Sequence, residues 1–509
     1  MSLSATVAPR RALLLTSAVI LAIVALTLGL APAPASASAG SSLEILGLQG
    51  RLSTDLGLNS AWVVIAGLFV MFMQAGLAML EVGFVRGKNA GSVIAKIITN
   101  FAIAAIAFWA VGFAFSFGRG GSIIGVHGFF VEGQRAFPLA FPLNSKGVDP
   151  DALWFFEFVF CAVTLAIVWG TTLERIKFGV YIAFAPIFAG VIYPVVAHWI
   201  FADGWLRSSL HVQDFAGSIV VDVTAGAAAL AVLLQLGPRR GKYGPDGKPR
   251  AIPGHNMPLF GLGIIILWLG WFGFNPGSTL NALDGRFAEI VLVTQLAGSA
   301  GVLSAMAVMW AVTKTFDIGM AGNGAIAGLV AITGPAGYVA PWAAVVIGAV
   351  AGVIVVLGVV RIDRRLDDPI GVLSAHLLAG IWGALSLGLF ATPLLASHNL
   401  PGSHGGLFYT GSFTQLGSQA VGVIVTFAFV FSASYAVFWL IDRTIGLRVS
   451  AEEENAGLDI SEHGMYGYPE QFIPIPELVG YGAVPASQRI GTGPLSDPDV
   501  TAGRGRGAR

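Results

Sequence analysis

Two ionisable residues, Asp222 and His376, lie within long apolar segments, and each follows another aspartate by eight positions. The first segment begins at Asp214 and the second at Asp368. Eight helical residues rise roughly 12 Å, and half of a membrane's hydrocarbon core is about 15 Å thick. If Asp214 and Asp368 lie at opposite membrane surfaces, Asp222 and His376 both arrive near the midplane. Ionisable groups at that depth typically mark a path for a polar or protonated species.

The chemistry of such a path depends on whether the two side chains meet. A close Asp–His pair favours a carboxylate beside an imidazolium and can pass a proton between its members. A lone buried histidine is often only a satisfied core residue, but Asp222 facing lipid would be costly, so it should face a partner or water. Asp214 and Asp368 have a simpler role as helix N-caps, with Pro369 in the first turn of the second helix.

The composition indicates a polytopic membrane protein. The 509 residues are 55% hydrophobic and 11% charged, with 67 glycines and a mean hydropathy of +0.77. The net charge of zero argues against nucleic acid as a partner, and the single cysteine, Cys161, excludes an intramolecular disulfide framework. The apolar segments contain neither a phosphate-binding glycine loop nor a metal-ligand histidine spacing. We therefore expect no enzyme activity, no metal and no cofactor.

The two ends of the chain differ in character from its centre. Arg10 and Arg11 precede an apolar run and then small residues with cleavage options after Ala37 or Ala39, which predicts a cleaved signal peptide over residues 1–39. The apolar run is long for a signal peptide, so an uncleaved anchor remains the alternative. Residues 485–509 are rich in Gly, Pro, Ser and Arg and are predicted to be disordered.

Between these ends, residues 58–442 form a predicted membrane domain of eleven hydrophobic spans, the eighth short and interrupted by Gly334 and Pro335. The spans are predicted near 60–84, 92–116, 152–173, 178–200, 215–236, 257–275, 287–313, 320–338, 339–360, 369–394 and 415–442. An external amino terminus places most loop lysines and arginines in the cytoplasm, as the positive-inside rule requires. The predicted location is the plasma (inner) membrane, with residues 443–484 as a cytoplasmic regulatory tail.

The order of the spans indicates an inverted repeat. The half made of spans one to five begins outside, so the half made of spans six to ten begins inside. A final span follows. The Asp-x7-Asp and Asp-x7-His spacings lie in spans five and ten, the last span of each half. In inverted-repeat transporters the substrate site lies between the halves near the midplane.

Aromatic residues cluster near the external ends of spans three, four and six. Interfacial belts explain most aromatics at this depth. The alternative is a vestibule in which ring faces replace part of a cation's hydration shell, with the Ser278 hydroxyl as a further ligand. The cluster comprises Trp154, Phe155, Phe156, Phe158, Phe160, Trp199, Phe201, Trp205, Trp271, Phe272 and Phe274.

Several segments together resemble the ammonium transporter (Amt/Mep/Rh) family. They occur in the family's order over residues 60 to about 465. The segments are Glu81–Asn89, Leu173–Phe178, Asp214–Val221, Gly270–Ser278, Gly324–Val330, Asp367–Pro369 with His376, and the tail Gly446–Gly464.

The resemblance implies an all-α homotrimer whose subunits each contain eleven transmembrane helices and a narrow pore. It maps a gate of stacked rings to Phe160 and Phe274, and the second pore histidine to His376. Substrate recruitment is expected at Phe201, Trp271 and Ser278, ordered by Asp214. Two positions depart from the family pattern: Asp222 replaces the first pore histidine, and Phe201 replaces the usual recruitment tryptophan, which weakens cation-π attraction.

The leading hypothesis is electrogenic uptake of ammonium, as net NH3 plus H⁺, with Asp222 and His376 as the proton-handling pair. The alternatives are an ammonium sensor with little flux and a passive channel for ammonia or carbon dioxide. Expected partners are ammonium or ammonia as substrate and membrane lipid. The resemblance adds a PII-type regulatory protein on the charged tail, which contains Glu452, Glu453 and Glu454.

Overall fold

The structure, a computed structural model, describes residues 54–131 and 147–472, and within these ranges it is helical without a β-strand. The predicted signal peptide, the last twelve residues of the predicted tail and the predicted disordered terminus lie outside the described residues. Eleven long helices match the eleven predicted spans one to one. They are α1 Asp55–Phe84, α2 Gly87–Phe117, α3 Pro150–Thr171, α4 Phe178–Leu210, α5 Ser218–Leu236, α6 Met257–Gly277, α7 Arg286–Thr313, α8 Ile318–Thr333, α9 Pro341–Ile362, α10 Leu373–Phe390 and α11 Thr414–Thr444.

Ten of these helices are long and apolar enough to cross a membrane, and α8 is the shorter apolar one. Short helices connect the long ones or follow them, at Phe129–Val131, Pro393–Asn399, Leu407–Thr410, Ala451–Ala456, Leu458–His463 and Pro469–Phe472. The short α8 agrees with the predicted interruption. Its outer end is joined to the start of α5, because the Gly334 N–H donates to Ser218 Oγ at 2.7 Å.

Helix starts are set by side chains that accept from free backbone N–H groups. Asp149 accepts from Asp151 N before α3, Asn256 from Leu259 N at α6, and Asp317 from Met320 N at α8. Each of these side chains satisfies a donor that has no partner within the helix.

Glycines allow α1 and α6 to pack closely in antiparallel directions. A Cβ at Gly270 would lie 2.1 Å from Met73 Cγ, and one at Gly263 would lie 2.4 Å from the Leu80 backbone nitrogen. Small residues let membrane helices approach in this way, and van der Waals contact then holds them. The pairing places the later turns of α1 beside the earlier turns of α6.

A buried cluster of opposite charges ties the loops on the predicted cytoplasmic face. Glu174 accepts from Arg86 Nη2 at 2.7 Å, and Asp367 accepts from Arg239 Nη2 at 2.9 Å. Burial by itself raises the pKa of both carboxyls, but the neighbouring arginines outweigh it and leave each pKa below its ordinary value. The cluster therefore stabilises the fold when both acids are ionised.

The first part of the tail lies against the same face. Asp459 accepts from the backbone N–H groups of Gly91 and Ser92 at 2.9 and 2.8 Å, in the first turns of α2. Arg448 binds Glu454 at 2.7 Å, and Lys88 Nζ donates to the Glu454 carbonyl oxygen at 3.0 Å. The contacts of Asp459 and Lys88 join the tail to the start of α2.

Candidate functional site

The two helices that carry Asp222 and His376 begin in the same unusual way. Asp214 accepts hydrogen bonds from the N–H groups of residues 217–220 at 2.7 to 3.0 Å. Asp368 accepts from Val372 N and Leu373 N at 3.0 and 2.8 Å. Both aspartates therefore make the N-capping contacts expected from their positions at the starts of the two helices.

Each aspartate is followed, three positions later, by a glycine with positive φ and then by a π-helical turn. Gly217 has φ +129° and Gly371 has φ +80°, conformations that a side chain would strain. The π-helical turns span Ser218–Val223 and Leu373–Leu378. Turns of this kind are rare and occur often at functional sites, and here each one holds a pore residue.

The structure brings the two pore residues together. His376 Nδ1 lies 2.8 Å from Asp222 Oδ1, and both side chains are almost completely buried. No hydrogen bond among the described residues uses His376 Nε2. Because Asp222 Oδ1 orients the ring through Nδ1, the other ring nitrogen is left for water or substrate in the adjoining cavity.

A second pair of glycines permits this approach. Gly226 follows Asp222 by four positions, and Gly380 follows His376 by four. A Cβ at Gly380 would lie 3.0 Å from Asp222 Cβ, and one at Gly226 would lie 2.5 Å from Leu377 Cβ. The two helices can cross at the pair only because both positions lack a side chain.

The pair lines a cavity with mostly apolar walls. Among its lining residues the ionisable side chains are Asp222, His376 and Glu81. The remaining lining residues are Met73, Leu77, Leu80, Val163, Ile167, Val221, Leu267, Trp271, Phe274, Asn323, Ile326, Ile370, Val372 and Ala375.

The gate residues expected from the resemblance stack on each other at the outer end of this cavity. The ring centroids of Phe160 and Phe274 are 3.9 Å apart with an interplanar angle of 21°. Both rings are buried, at 1% and 2% exposure. Passage between the two sides requires these rings to move.

A second, more polar cavity lies on the outer side of the rings. Phe201, Ser278 and Asp214 line it together with Phe160, as the resemblance implied. Glu157 also lines it, with its Oε2 atom buried and without a hydrogen-bond partner among the described residues. The remaining lining residues are Phe156, Arg207, Phe215, Leu280, Tyr338 and Asn399.

Trp271 lies apart from the other residues at which recruitment is expected. It lines the inner cavity rather than the outer one, and its indole N–H donates to Thr333 Oγ1 at 2.9 Å. Because α6 runs outward, Trp271 lies about one turn deeper than Phe274. Proximity in sequence to the aromatic cluster did not show on which side of the gate the ring would lie.

Sequence reasoning also missed Glu81, Lys96 and Glu157 as site residues. All three are buried, and Lys96 Nζ forms an ion pair with Glu81 Oε2. The available signal was the same as for Asp222, an ionisable residue within a predicted span. His198, in α4, is 2% exposed, and its ring nitrogens lie 2.8 and 2.9 Å from the carbonyl oxygens of Ser116 and Gly121. In the described part of the chain no group of three or more His, Cys, Asp or Glu side chains could hold a metal ion.

The comparisons with known proteins agree with this architecture. A family model described as "Ammonium Transporter Family" matches residues 61–468. Ammonium transporter Amt2 of Archaeoglobus fulgidus is 44% identical over 430 residues, covering 82% of this chain and 89% of that protein. The ammonium transporter of Bacillus subtilis is 34% identical, covering 81% of this chain and 98% of its own.

Solved structures show the same relationship in three dimensions. A structure titled "Sensor Amt Protein" superposes with a TM-score of 0.74 at 33% identity, covering 80% of this chain and 99% of that chain. The Mep2 structure from Candida albicans gives a TM-score of 0.70 at 29% identity, covering 78% and 87%. By the match of the family model over most of its length, and by these relatives, the chain belongs to the ammonium transporter family.

Proposed function

We propose that this protein carries ammonium inward across the plasma membrane, through a pore within its own subunit, as net NH3 plus H⁺. The observation that carries the proposal is the 2.8 Å contact between Asp222 and His376 in a mostly apolar cavity behind two stacked rings. The loops on the same side of the protein as the carboxyl terminus are rich in lysine and arginine. By the positive-inside rule this supports a cytoplasmic carboxyl terminus.

Recruitment takes place in the outer cavity. The ring face of Phe201, the Ser278 hydroxyl and the Glu157 carboxyl offer an ammonium ion replacements for part of its water shell. Asp214 is committed to four backbone N–H groups, so its role here is to shape the wall of the cavity.

Proton transfer takes place beyond the rings. NH4⁺ gives one proton to Nε2 of a neutral His376 beside the Asp222 carboxylate, which makes the pair a carboxylate beside an imidazolium, and neutral NH3 moves on. The proton then leaves the pair for the cytoplasm, and this loss returns the pair to its starting state. Na⁺ and K⁺ cannot shed their charge in this way, so a low-dielectric cavity disfavours them.

The test is the current from the full-length protein in liposomes after an ammonium pulse. We expect Asp222→Ala and His376→Ala each to reduce the current at least ten-fold while the protein remains folded and oligomeric in size-exclusion chromatography. Wild-type currents in both variants would remove the pair from the mechanism. No current from the wild-type protein would refute electrogenic transport.

A sensor that binds ammonium with little flux is the second candidate, favoured by the similarity to the structure titled "Sensor Amt Protein". Calorimetric binding of ammonium, measured beside flux on the same preparation, separates the two functions. A sensor binds ammonium without a current, whereas a transporter shows both.

The subunits are proposed to form a homotrimer.

The tail is the proposed site of regulation. The tail contacts Gly91 in α2 through Asp459 and contacts Lys177 through the Ile445 carbonyl oxygen, so a partner bound to the tail can reach the start of α2. We expect a PII-type protein to be retained by the full-length chain and lost with a truncation to residues 1–442. Equal retention by both forms would contradict this role for the tail.

A further inference from the structure

The pore cavity contains one ionisable group that the proposed proton transfer leaves unused. Glu81 is fully buried in α1, and its Oε2 atom is paired with Lys96 Nζ of α2, itself 1% exposed. A fully buried ion pair between two membrane helices is costly and is seldom present without a function.

The two atoms of the Glu81 carboxylate have different surroundings. Oε2 faces Lys96, which is absent from the residues lining the cavity in the described part of the chain. Oε1 is buried without a hydrogen-bond partner among the described residues, although Glu81 itself lines the cavity. A buried carboxylate oxygen without a donor is unfavourable, so the position favours an incoming proton, water or cation.

Glu81 lies at the end of the cavity opposite the gate. In the antiparallel pair of α1 and α6, Leu80 packs at the level of Gly263. Gly263 precedes Phe274 by three helical turns, so Glu81 is roughly 16 Å farther along the pore than the rings. With the proposed orientation, this is the cytoplasmic side.

We propose that Glu81, held by Lys96, is the proton acceptor at the cytoplasmic end of the pore. This inference rests on the proposed function and adds a second proton-accepting site to it. The proton on His376 Nε2 passes through cavity water to Glu81 Oε1, which leaves a neutral imidazole and a neutral carboxylic acid beside Lys96. Glu81 then releases the same proton to cytoplasmic water, and its carboxylate again pairs with Lys96.

The competing explanation is that the pair only fastens α1 to α2. The two roles differ in one respect: a fastener works with the charges in either order, whereas a proton acceptor must lie on the cavity wall. The double variant Glu81→Lys with Lys96→Glu keeps an ion pair between the helices but moves the carboxylate to a position outside the cavity lining.

The experiment compares ammonium-pulse currents of the full-length wild type, Glu81→Gln, Glu81→Asp and the charge-exchanged double variant in liposomes. We expect Glu81→Gln to lose at least ten-fold in current while the half-saturating ammonium concentration changes less than two-fold. Glu81→Asp keeps a carboxylate and should retain part of the current. The double variant should recover the wild-type unfolding temperature but not the current.

A wild-type current in Glu81→Gln, or full current in the double variant, would overturn the proposal. If Glu81→Gln does not fold, the double variant decides alone, because it retains the helix contact. A wild-type current that needs Asp222 and His376 but not Glu81 removes only this inference. A wild type without current removes the proposed function and this inference with it.

Discussion

Glu157 is the residue whose chemistry most directly offsets the departure at Phe201. Phenylalanine provides a weaker cation-π partner than tryptophan, but the outer cavity holds a buried carboxyl oxygen without a hydrogen-bond donor. Arg207 lines the same cavity and opposes a cation there. The balance of these groups should set the affinity for ammonium rather than the maximal rate.

We expect Glu157→Gln to raise the half-saturating ammonium concentration roughly ten-fold, equivalent to about 1.4 kcal/mol of binding free energy. The maximal current should change little, because the residue lies outside the gate. Concentration series of the ammonium-pulse current measure both quantities. Adding Phe201→Trp to Glu157→Gln should recover part of the affinity, and an unchanged half-saturation in Glu157→Gln would contradict a role in recruitment.

A shared pattern of aspartate, glycine, pore residue and glycine, which begins just before α5 and α10 and continues into them, sets the geometry of the site. The aspartate caps the helix, the first glycine supplies the positive φ that precedes the π-helical turn, and the second allows the helices to cross. Gly380 is the position that lies against the pore residue of the other helix, since a Cβ there meets both Ser218 O and Asp222 Cβ at about 3 Å.

We expect Gly380→Ala to separate the helices and lengthen the Asp222–His376 contact, with at least a ten-fold loss of current. Overpacking of this kind costs about 1–3 kcal/mol in stability. The matched control is Gly261→Ala in α6, where nothing lies within 4 Å of the added Cβ. Equal currents in the two variants would show that the close crossing is not required.

At the scale of the molecule, the buried charges on the predicted cytoplasmic face join the two halves of the protein. Arg239 bridges Glu174 in the first half to Asp367 in the second. Each carboxyl has a folded-state pKa below its ordinary value, so its stabilisation is complete above that value and is lost as the pH falls through the folded-state pKa.

We therefore expect Glu174→Gln to lower stability by about 3–5 kcal/mol at neutral pH, because Arg86 and Arg239 lose their buried partner. The difference from wild type should shrink below pH 4.5, the ordinary value for this carboxyl. Thermal unfolding in detergent across this pH range measures it. Asp246→Asn, in an exposed pair with Lys248, should behave like wild type, and a pH-independent effect of Glu174→Gln would count against the ionic explanation.

The spans, their inverted order and the meeting of Asp222 with His376 could be predicted from sequence because each depends on regularities along the chain. Hydrophobic length gives the spans, and the helical rise of eight residues gives the depth of the pore residues. The matching glycines at 217 and 371, and at 226 and 380, were also visible in the sequence, but their meaning required knowledge of the φ angles and the crossing helix.

By itself, the sequence determined which residues lie deep in the membrane and which two helices bring an acid and a base to the same level. Only the tertiary structure decided on which side of the rings Trp271 lies, that Glu81 has one oxygen on Lys96 and the other unpaired, and that Glu157 joins the outer cavity. The physical reason is that depth follows from distance along one helix. The direction in which a side chain faces, and what it meets there, depend on neighbouring helices that are far away in sequence.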